Sequence, residues 1–286
     1  MALEGRWFSE VDGRGGSAFS LSVTEKLHEE RSEFQLIEIY QTETFGRLMV
    51  IDGCIMLSER DNFLYHEMMT HPALFSHNAP REVAIIGGGD CGTLREVLRH
   101  DEVEHAIQVE IDERVTRLSE QYFPSLCEAN DDPRAELYFG DGIAWMSERP
   151  AGSLDLVIID STDPVGPALG LFSESFYQDV YRALRPGGLL VQQTESPLYH
   201  LPIIQGVRAG LRRAGFADIQ LLSYPQPVYP SGWWTATLAG RDGQVTFARQ
   251  DVARSCPFAT QYYSADIHQA ALAVPPFVAN AFAESD

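Results

Sequence analysis

Hydrophobic and polar positions divide the chain into two regimes. Up to about residue 60, apolar residues alternate with polar ones, the period of half-buried strands. Ser20-Leu21-Ser22-Val23-Thr24-Glu25-Lys26-Leu27 alternates, and so does Phe34-Gln35-Leu36-Ile37-Glu38-Ile39-Tyr40. Gly46-Arg47-Leu48-Met49-Val50-Ile51 runs into Asp52-Gly53, a two-residue hairpin signal, and Cys54-Ile55-Met56-Leu57 returns. The pattern predicts a small antiparallel β domain over residues 1–60. From Arg60 to about His77 it predicts a helix that stops around Pro72 or shortly after.

From Pro80 onward, short apolar runs alternate with helical patterns. Strands are predicted at 83–87, 105–110, 135–139, 154–160, 188–194 and 217–223. Helices are predicted near 92–100, 112–122, 142–148, 173–184 and 200–214. Such alternation implies an α/β domain, residues 61–286, with a mostly parallel sheet covered on both faces. The apolar stretch at 270–283 is broken by Pro275-Pro276 and is expected to pack against the core.

Ligands of parallel sheets sit beyond the carboxyl ends of the strands. The residues that end strands therefore carry the candidate chemistry. Val83-Ala84-Ile85-Ile86 leads into Gly87-Gly88-Gly89-Asp90-Cys91-Gly92, with Gly87, Gly89 and Gly92 in G-x-G-x-x-G register. Glycine lets backbone pass close to a ligand, and the following helix start offers N–H donors. Glu110 ends the next strand, where a carboxylate can hold both ribose hydroxyls of a nucleoside. Asp141-Gly142 ends the third, where the carboxylate can accept from an adenine amino group. Asp160 and Asp163 follow the buried run Leu154-Asp155-Leu156-Val157-Ile158-Ile159. Each feature also has a plainer use: a tight βα turn, a β-turn, or a helix cap.

Composition sharpens this picture. The 286 residues carry 41 acids against 21 bases, a net charge of −20. That balance argues against nucleic acid or anionic lipid as a partner and is compatible with a cationic small molecule. Two carboxylates about 4 Å apart repel by about 4 kcal/mol at an effective dielectric of 20. No lysine and few arginines lie in the strand-end loops, so a ligand with more than one positive charge is the expected counterweight. The four cysteines have no metal-ligand spacing, and reduced thiols in a cytoplasmic protein are expected. The first residues lack a signal-peptide pattern, and no apolar run approaches membrane-spanning length. His66 and His71 lie five apart, roughly 140° around a helix, which is not the zinc-protease spacing.

Glu59-Arg60-Asp61-Asn62-Phe63-Leu64-Tyr65-His66-Glu67-Met68-Met69, Gly87-Gly88-Gly89-Asp90, Val109-Glu110-Ile111-Asp112, Asp160-Ser161-Thr162-Asp163-Pro164-Val165-Gly166-Pro167 and Tyr229-Pro230-Ser231-Gly232 resemble the spermidine synthases. The resemblance covers nearly the whole chain, including Tyr262-Tyr263 and Ile267-His268. It implies an aminopropyltransferase with an N-terminal β domain and a methyltransferase-like Rossmann domain, assembled as a homodimer or homotetramer. It implies that Gln35, Glu110, Asp141, Gly142 and Pro167 contact the adenosyl part of decarboxylated S-adenosylmethionine. Asp90 is implied to hold the aminopropyl ammonium or the product amine. Tyr65, His66, Asp160, Asp163 and Tyr229 are implied to line the diamine site, with Asp160 as acid-base and Tyr65 as its catalytic partner in moving the proton. Cys91, Met56, Leu169 and Val228 depart from the family's usual glycine, glutamine, glutamate and threonine.

The implied reaction is an S_N2 displacement from decarboxylated S-adenosylmethionine onto putrescine. The sulfonium is already a good leaving group, so no metal and no tightly bound cofactor is expected. The rival readings are a sibling enzyme using agmatine, cadaverine or spermidine, an S-adenosylmethionine methyltransferase, and a non-enzymatic polyamine-binding protein.

Overall fold

The structure is a computed structural model that describes residues 5–13, 15–164 and 166–285, without the side chains of Pro167 and Ser285. The chain opens with a five-stranded antiparallel sheet in sequential order: β1 (Trp7–Asp12), β2 (Ser17–Arg31), β3 (Leu36–Thr42), β4 (Arg47–Ile51) and β5 (Cys54–Ser58). Asp52 and Gly53 join β4 to β5 with φ of 48° and 87°, the left-handed pair that a tight hairpin demands. One face packs Ile37, Ile39, Met49 and Leu57 against Val115 and Leu118 of a later helix. The alternation of residues 34–40 is thus set by burial against the second half of the chain.

The helix α1 (Asn62–Ser76) leads into the α/β half. There follow β6 (Glu82–Gly87), α2 (Gly92–Leu98), β7 (His105–Glu110), α3 (Glu113–Tyr122), β8 (Ala135–Phe139), α4 (Gly142–Ser147) and β9 (Leu154–Asp160). Then come α5 (Glu174–Ala183), β10 (Leu184–Gln193), α6 (Leu201–Ala214), β11 (Asp218–Pro225), β12 (Trp233–Gly240), α7 (Gln250–Arg254), α8 (Ala265–Ala271) and α9 (Pro276–Ser285). The seven strands run in the order β11-β12-β10-β9-β6-β7-β8. β8, β7, β6, β9 and β10 are parallel, while β12 is antiparallel to both neighbours. The chain moves outward from β6 to β8, then crosses back to lay β9 on the other side of β6. That reversal opens a crevice at the strand ends, between Gly87 and Asp160.

Two expectations need correction. α1 does not stop near Pro72 but continues through it to Ser76. An interior proline costs about 3 kcal/mol. Here residues 64–76 are all buried, against the sheet, α2 and the C-terminal segment, and that packing outweighs the lost bond. β12 was not foreseen. Its Trp-Trp-Thr-Ala-Thr-Leu-Ala-Gly run is buried on both faces from Trp234 on and shows no alternation. The apolar C-terminal stretch does pack: Val278 and Phe282 of α9 meet Ile204 and Leu221. No helix among the described residues is long and apolar enough to cross a membrane.

Glu67, buried on α1, accepts three backbone N–H groups, from Gln261, Tyr262 and Tyr263 at 2.7–2.9 Å. One carboxylate thus anchors the whole C-terminal segment to the central helix. Hydrogen bonds to charged groups contribute roughly 1.5–3 kcal/mol each, with losses smaller than their sum. Glu67→Ala is therefore expected to lower unfolding stability by about 3 kcal/mol in a denaturant titration. A loss below about 0.5 kcal/mol would mean that the segment is held by apolar packing alone.

Candidate active site

The strand ends converge on one cleft of about 1030 Å³, counting space open to solvent. Gly87 lies directly opposite Asp160 in the β6–β9 register, and Gly88 N–H donates to the Asp160 carbonyl at 2.7 Å. Gly87 has φ of 87°, and a Cβ there would run into the Asp160 carbonyl, so only glycine fits. Gly92 is required for a different reason: a Cβ would collide with the His66 ring. The glycine pattern therefore serves close packing of the Asp160 strand and of α1, in addition to opening the cleft.

Asp160 is held at both oxygens. Tyr65 Oη donates to Oδ1 at 2.6 Å and Thr93 Oγ1 to Oδ2 at 2.5 Å. Burial and the nearby Asp90 charge raise the Asp160 pKa, opposed by His66 and these two hydrogen bonds. Burial and the Asp160 charge push the Tyr65 phenol well above its ordinary range, so Tyr65 is a donor here. Asp90 is favoured in its ionised form. Burial opposes this, but His66 Nε2 at 3.2 Å and the Gly92 N–H at 2.7 Å overcome it. His66 is raised in turn: burial opposes the charged ring, and Asp90 wins. The two form a buried ion pair.

His66 is the one expected amine contact that the structure does not bring to the cleft wall. Its ring is sealed behind Asp90, with 2% of its side chain exposed, because Gly92 lets it in. His71 turns away from the cleft altogether, to His100 at 3.0 Å and Glu96 at 3.2 Å.

On the opposite side of Gly89, Glu110 faces the cleft from the end of β7. Burial raises its pKa to about 7, opposed by the Asp112 N–H that it accepts at 2.8 Å. Gln35 and Asp141 also line the cleft. Gln35 is engaged: its amide donates to Asp112 at 3.0 Å, beside Ser32 at 2.6 Å. Asp112 also caps α3 through the Arg114 N–H, so one carboxylate joins the β domain to the Glu110 side of the cleft. Asp141 spends Oδ1 as the cap of α4, on the N–H groups of Ile143 and Ala144. Gly142 follows at the helix start and lines the cleft. The side chain of Pro167 lies outside the described residues.

Asp163 lies in a second recess that shares Met56, Tyr65, Ser161, Thr162 and Tyr229 with the main cleft. Tyr229 stands at the junction, its ring 5.8 Å from that of Tyr65 and its hydroxyl donating to the Met56 carbonyl at 2.5 Å. Asp163 lies close to the buried Glu195 carboxyl. Burial, then the Glu195 charge, raises Asp163 to about 8. Glu10 lines the same recess, raised to about 7 by burial and the charges of Asp12 and Glu195. Glu195 is 1% exposed, adopts φ of 70° and lies 2.9 Å from His200 Nδ1. Leu169 is 61% exposed and lines neither recess, so its departure from the family's glutamate removes no wall charge.

Glu10, Thr93, Glu195 and His200 were not singled out from sequence. Glu195 could have been, because it follows the 188–194 strand, where the strand-end rule applies. The others carried no signal: Thr93 sits inside a helix pattern and Glu10 on a short edge strand.

The geometry thus comprises a cleft with Glu110 on one wall, the buried acids Asp90 and Asp160 at its centre, and a second acidic recess. The spermine/spermidine synthase domain family matches residues 62–249, and the spermidine synthase tetramerisation domain matches residues 6–59. The chain is 61% identical to a polyamine aminopropyltransferase of Methylococcus capsulatus over 97% of each chain. It is 62% identical to one of Thioalkalivibrio sulfidiphilus, over 97% of this chain and 98% of that one. A crystal structure of spermidine synthase in complex with the transition-state analogue AdoDATO superposes with a TM-score of 0.93. That match has 32% identity and covers 99% of this chain and 98% of the other. The chain belongs to the spermine/spermidine synthase family of polyamine aminopropyltransferases.

The site's raised acids make stability depend on pH. Glu10, Glu110 and Asp163 stand at about 7, 7 and 8 against ordinary values of 4.5, 4.5 and 3.8. Such acids take up protons on folding, so their cost appears as pH rises through the folded-state values. His66 and His200, raised by adjacent carboxylates, act in the same direction. The lowered histidines His77, His100 and His268 titrate only in the unfolded chain, at the low end of this window, where they offset part of the loss. The ligand-free protein is expected to lose on the order of 1 kcal/mol of stability per pH unit between about pH 6 and 8, below the range where the raised thiols add their own loss. Calorimetry between about pH 6 and 8 checks this, with Asp163→Asn expected to flatten the curve. No dependence in either protein would mean that these acids ionise freely.

Proposed function

We propose that the enzyme transfers the aminopropyl group of decarboxylated S-adenosylmethionine to putrescine, giving spermidine and methylthioadenosine. The observation that carries this reading is Asp160, fixed at both oxygens where the nucleoside cleft meets the acidic recess. An amine nitrogen attacks the aminopropyl carbon bonded to the sulfonium. The carbon–sulfur bond breaks with its electron pair left on sulfur, and the proton from nitrogen goes to Asp160. A primary ammonium has a pKa near 10.4, so a base and an aimed lone pair are what the reaction lacks in water. The proposed division is a nucleoside domain from residue 61 and a β domain to residue 60 that closes over it.

In this reading Glu110 accepts from the ribose hydroxyls, while Gln35, Asp141, Gly142 and Pro167 surround the adenine. Asp90, kept ionised by His66, takes the aminopropyl ammonium. The carboxylate of intact S-adenosylmethionine would meet like charge at the same place. Tyr65 and Tyr229 wall the four-carbon chain of putrescine. Asp163 receives the far ammonium, with Glu10 and Glu195 close behind. AdoDATO, bound by the structural relative, supports a co-substrate of the decarboxylated S-adenosylmethionine kind. The match to a tetramerisation domain supports assembly as a homotetramer or homodimer. We infer a cytoplasmic site of action, with which four free thiols accord.

Asp160→Asn is expected to lower turnover with putrescine by about 10²–10⁴-fold, the usual contribution of a positioned base. Calorimetric affinity for methylthioadenosine should change little. Near-normal turnover would remove Asp160 from the proton transfer.

The acceptor is tested by competition. With putrescine, cadaverine, agmatine and spermidine at equal concentration, spermidine should dominate the products by mass. A four-carbon chain spans from Asp160 to Asp163, whereas a longer amine pushes a charge into surroundings where an unpaired cation costs several kcal/mol. Dominant spermine would mean that Glu10 and Glu195 extend the site for a third ammonium.

A further inference from the structure

We propose that Thr93 is a positioning residue, holding and aiming the Asp160 carboxylate; the proposal rests on the general-base reading of Asp160. Thr93 lies in the first turn of α2, fully buried, and lines neither recess. It therefore reaches the reaction only through Asp160. Its hydroxyl donates to Oδ2 at 2.5 Å, a short charge-assisted bond. On the neighbouring side, Gly88 leaves just enough room for the carboxylate: a Cβ there would stand 3.0 Å from Oδ2. Oδ1 is taken by Tyr65 at 2.6 Å, and Tyr65 does line the cleft. The carboxylate is thus clamped between a cleft-side donor and a donor behind it.

What frees the Thr93 proton is visible one turn back. A threonine in a helix ordinarily gives its hydroxyl hydrogen to the carbonyl three or four residues earlier. For Thr93, in the first turn, those would be Asp90 and Gly89, which precede the N-cap Cys91 and lie outside the helix. With no helical carbonyl behind it, the Thr93 hydroxyl turns toward the sheet and meets the end of β9. The bond joins α2, the helix that follows the glycine turn, to the strand that delivers the base. Both elements close on the β6–β9 crevice, so the bond also sets the angle of the carboxylate to the cleft.

A hydroxyl donor stabilises the ionised carboxylate more than the protonated one, as it does for Asp160. Without it, the base is protonated over a wider pH range and swings more freely. Thr93→Val keeps the shape and removes the donor. It is expected to lower kcat/KM for putrescine at neutral pH by about tenfold. The acid limb of its pH profile should move to higher pH, so that much of the rate returns under alkaline conditions. Thr93→Ser should restore the wild-type profile. Affinity for methylthioadenosine should be unchanged in all three proteins, because the nucleoside contacts lie elsewhere.

The outcomes separate the proposal from the reading beneath it. Near-normal turnover in Asp160→Asn defeats both. An inactive Asp160→Asn beside a Thr93→Val enzyme with an unshifted profile defeats only the role of Thr93. Loss in both Thr93→Val and Thr93→Ser would assign the effect to the methyl group and its packing, against a hydroxyl role. Should Thr93→Val fail to fold, Thr93→Ala removes the same donor without the branched methyl, and the same profile decides.

Discussion

Buried negative charge at the β6–β9 crevice is the constraint that shapes this protein. Asp90, Glu110 and Asp160 end three adjacent elements and face one cleft, with Asp163, Glu10 and Glu195 close by. Such a group of acids, unpaired, would cost more than a marginally stable fold can bear. Each member is accommodated in a different way. Asp90 is ionised against His66. Asp160 accepts from Tyr65 and Thr93. Glu110 accepts a backbone N–H and still rises toward neutrality. Asp163 is raised by burial and by the neighbouring Glu195. The differences matter for chemistry. An acid beside a fixed cation stays charged, whereas an acid held only by neutral donors can accept a proton and return it.

The same constraint explains several packing choices that look unrelated. His66 is shut away from the cleft so that its charge serves Asp90 and does not repel an incoming cation. Gly92 exists because that ring needs its space, and Gly87 because the Asp160 carbonyl needs the next one. α1 runs through Pro72 because its packing holds it, and about two turns earlier Tyr65, His66 and Glu67 each make a contact that depends on the helix staying in place. Tyr65 reaches Asp160, His66 reaches Asp90, and Glu67 ties down residues 261–263. Three consecutive side chains on a helix point in three directions, and here each direction is used.

Much of this was legible in the chain. The strand-end acids Asp90, Glu110, Asp141 and Asp160 were found because a parallel sheet presents its carboxyl ends to ligand, and short apolar runs mark those ends. Asp163, two residues beyond Asp160, faces a second recess that adjoins the first. What stayed hidden was of two kinds. Long-range pairing leaves no periodic trace, so Thr93 and Glu10 became visible only when distant elements met. Strand insertion out of chain order is equally silent: β12 slips between β10 and β11 with no alternation to mark it. His66 is the instructive error. Its motif carried it into the amine site, but sequence spacing could not say that a glycine on another helix had made room for its ring behind Asp90.

The two recesses differ in how their charge is balanced, and that difference bears on the order of events. In the main cleft, Asp90 is already paired with a protein cation, so an ammonium arriving there joins an existing ion pair. Among the described residues no lysine or arginine lines the second recess, and Glu10 and Asp163 are raised toward or above neutral pH. A dication entering that recess meets acids that must give up protons before they can pair with it. In the proposed reaction, binding of the far ammonium therefore releases protons, while the near nitrogen must lose one to attack. Both protons leave the same end of the molecule, on carboxyls separated by Ser161 and Thr162. In that proposed reaction, Asp160 and Asp163 act on the two ends of one diamine with opposite requirements: the first must be free to take a proton, the second to lose one. Holding them on one short loop after β9, but in separate recesses with different partners, is how a single strand end meets both.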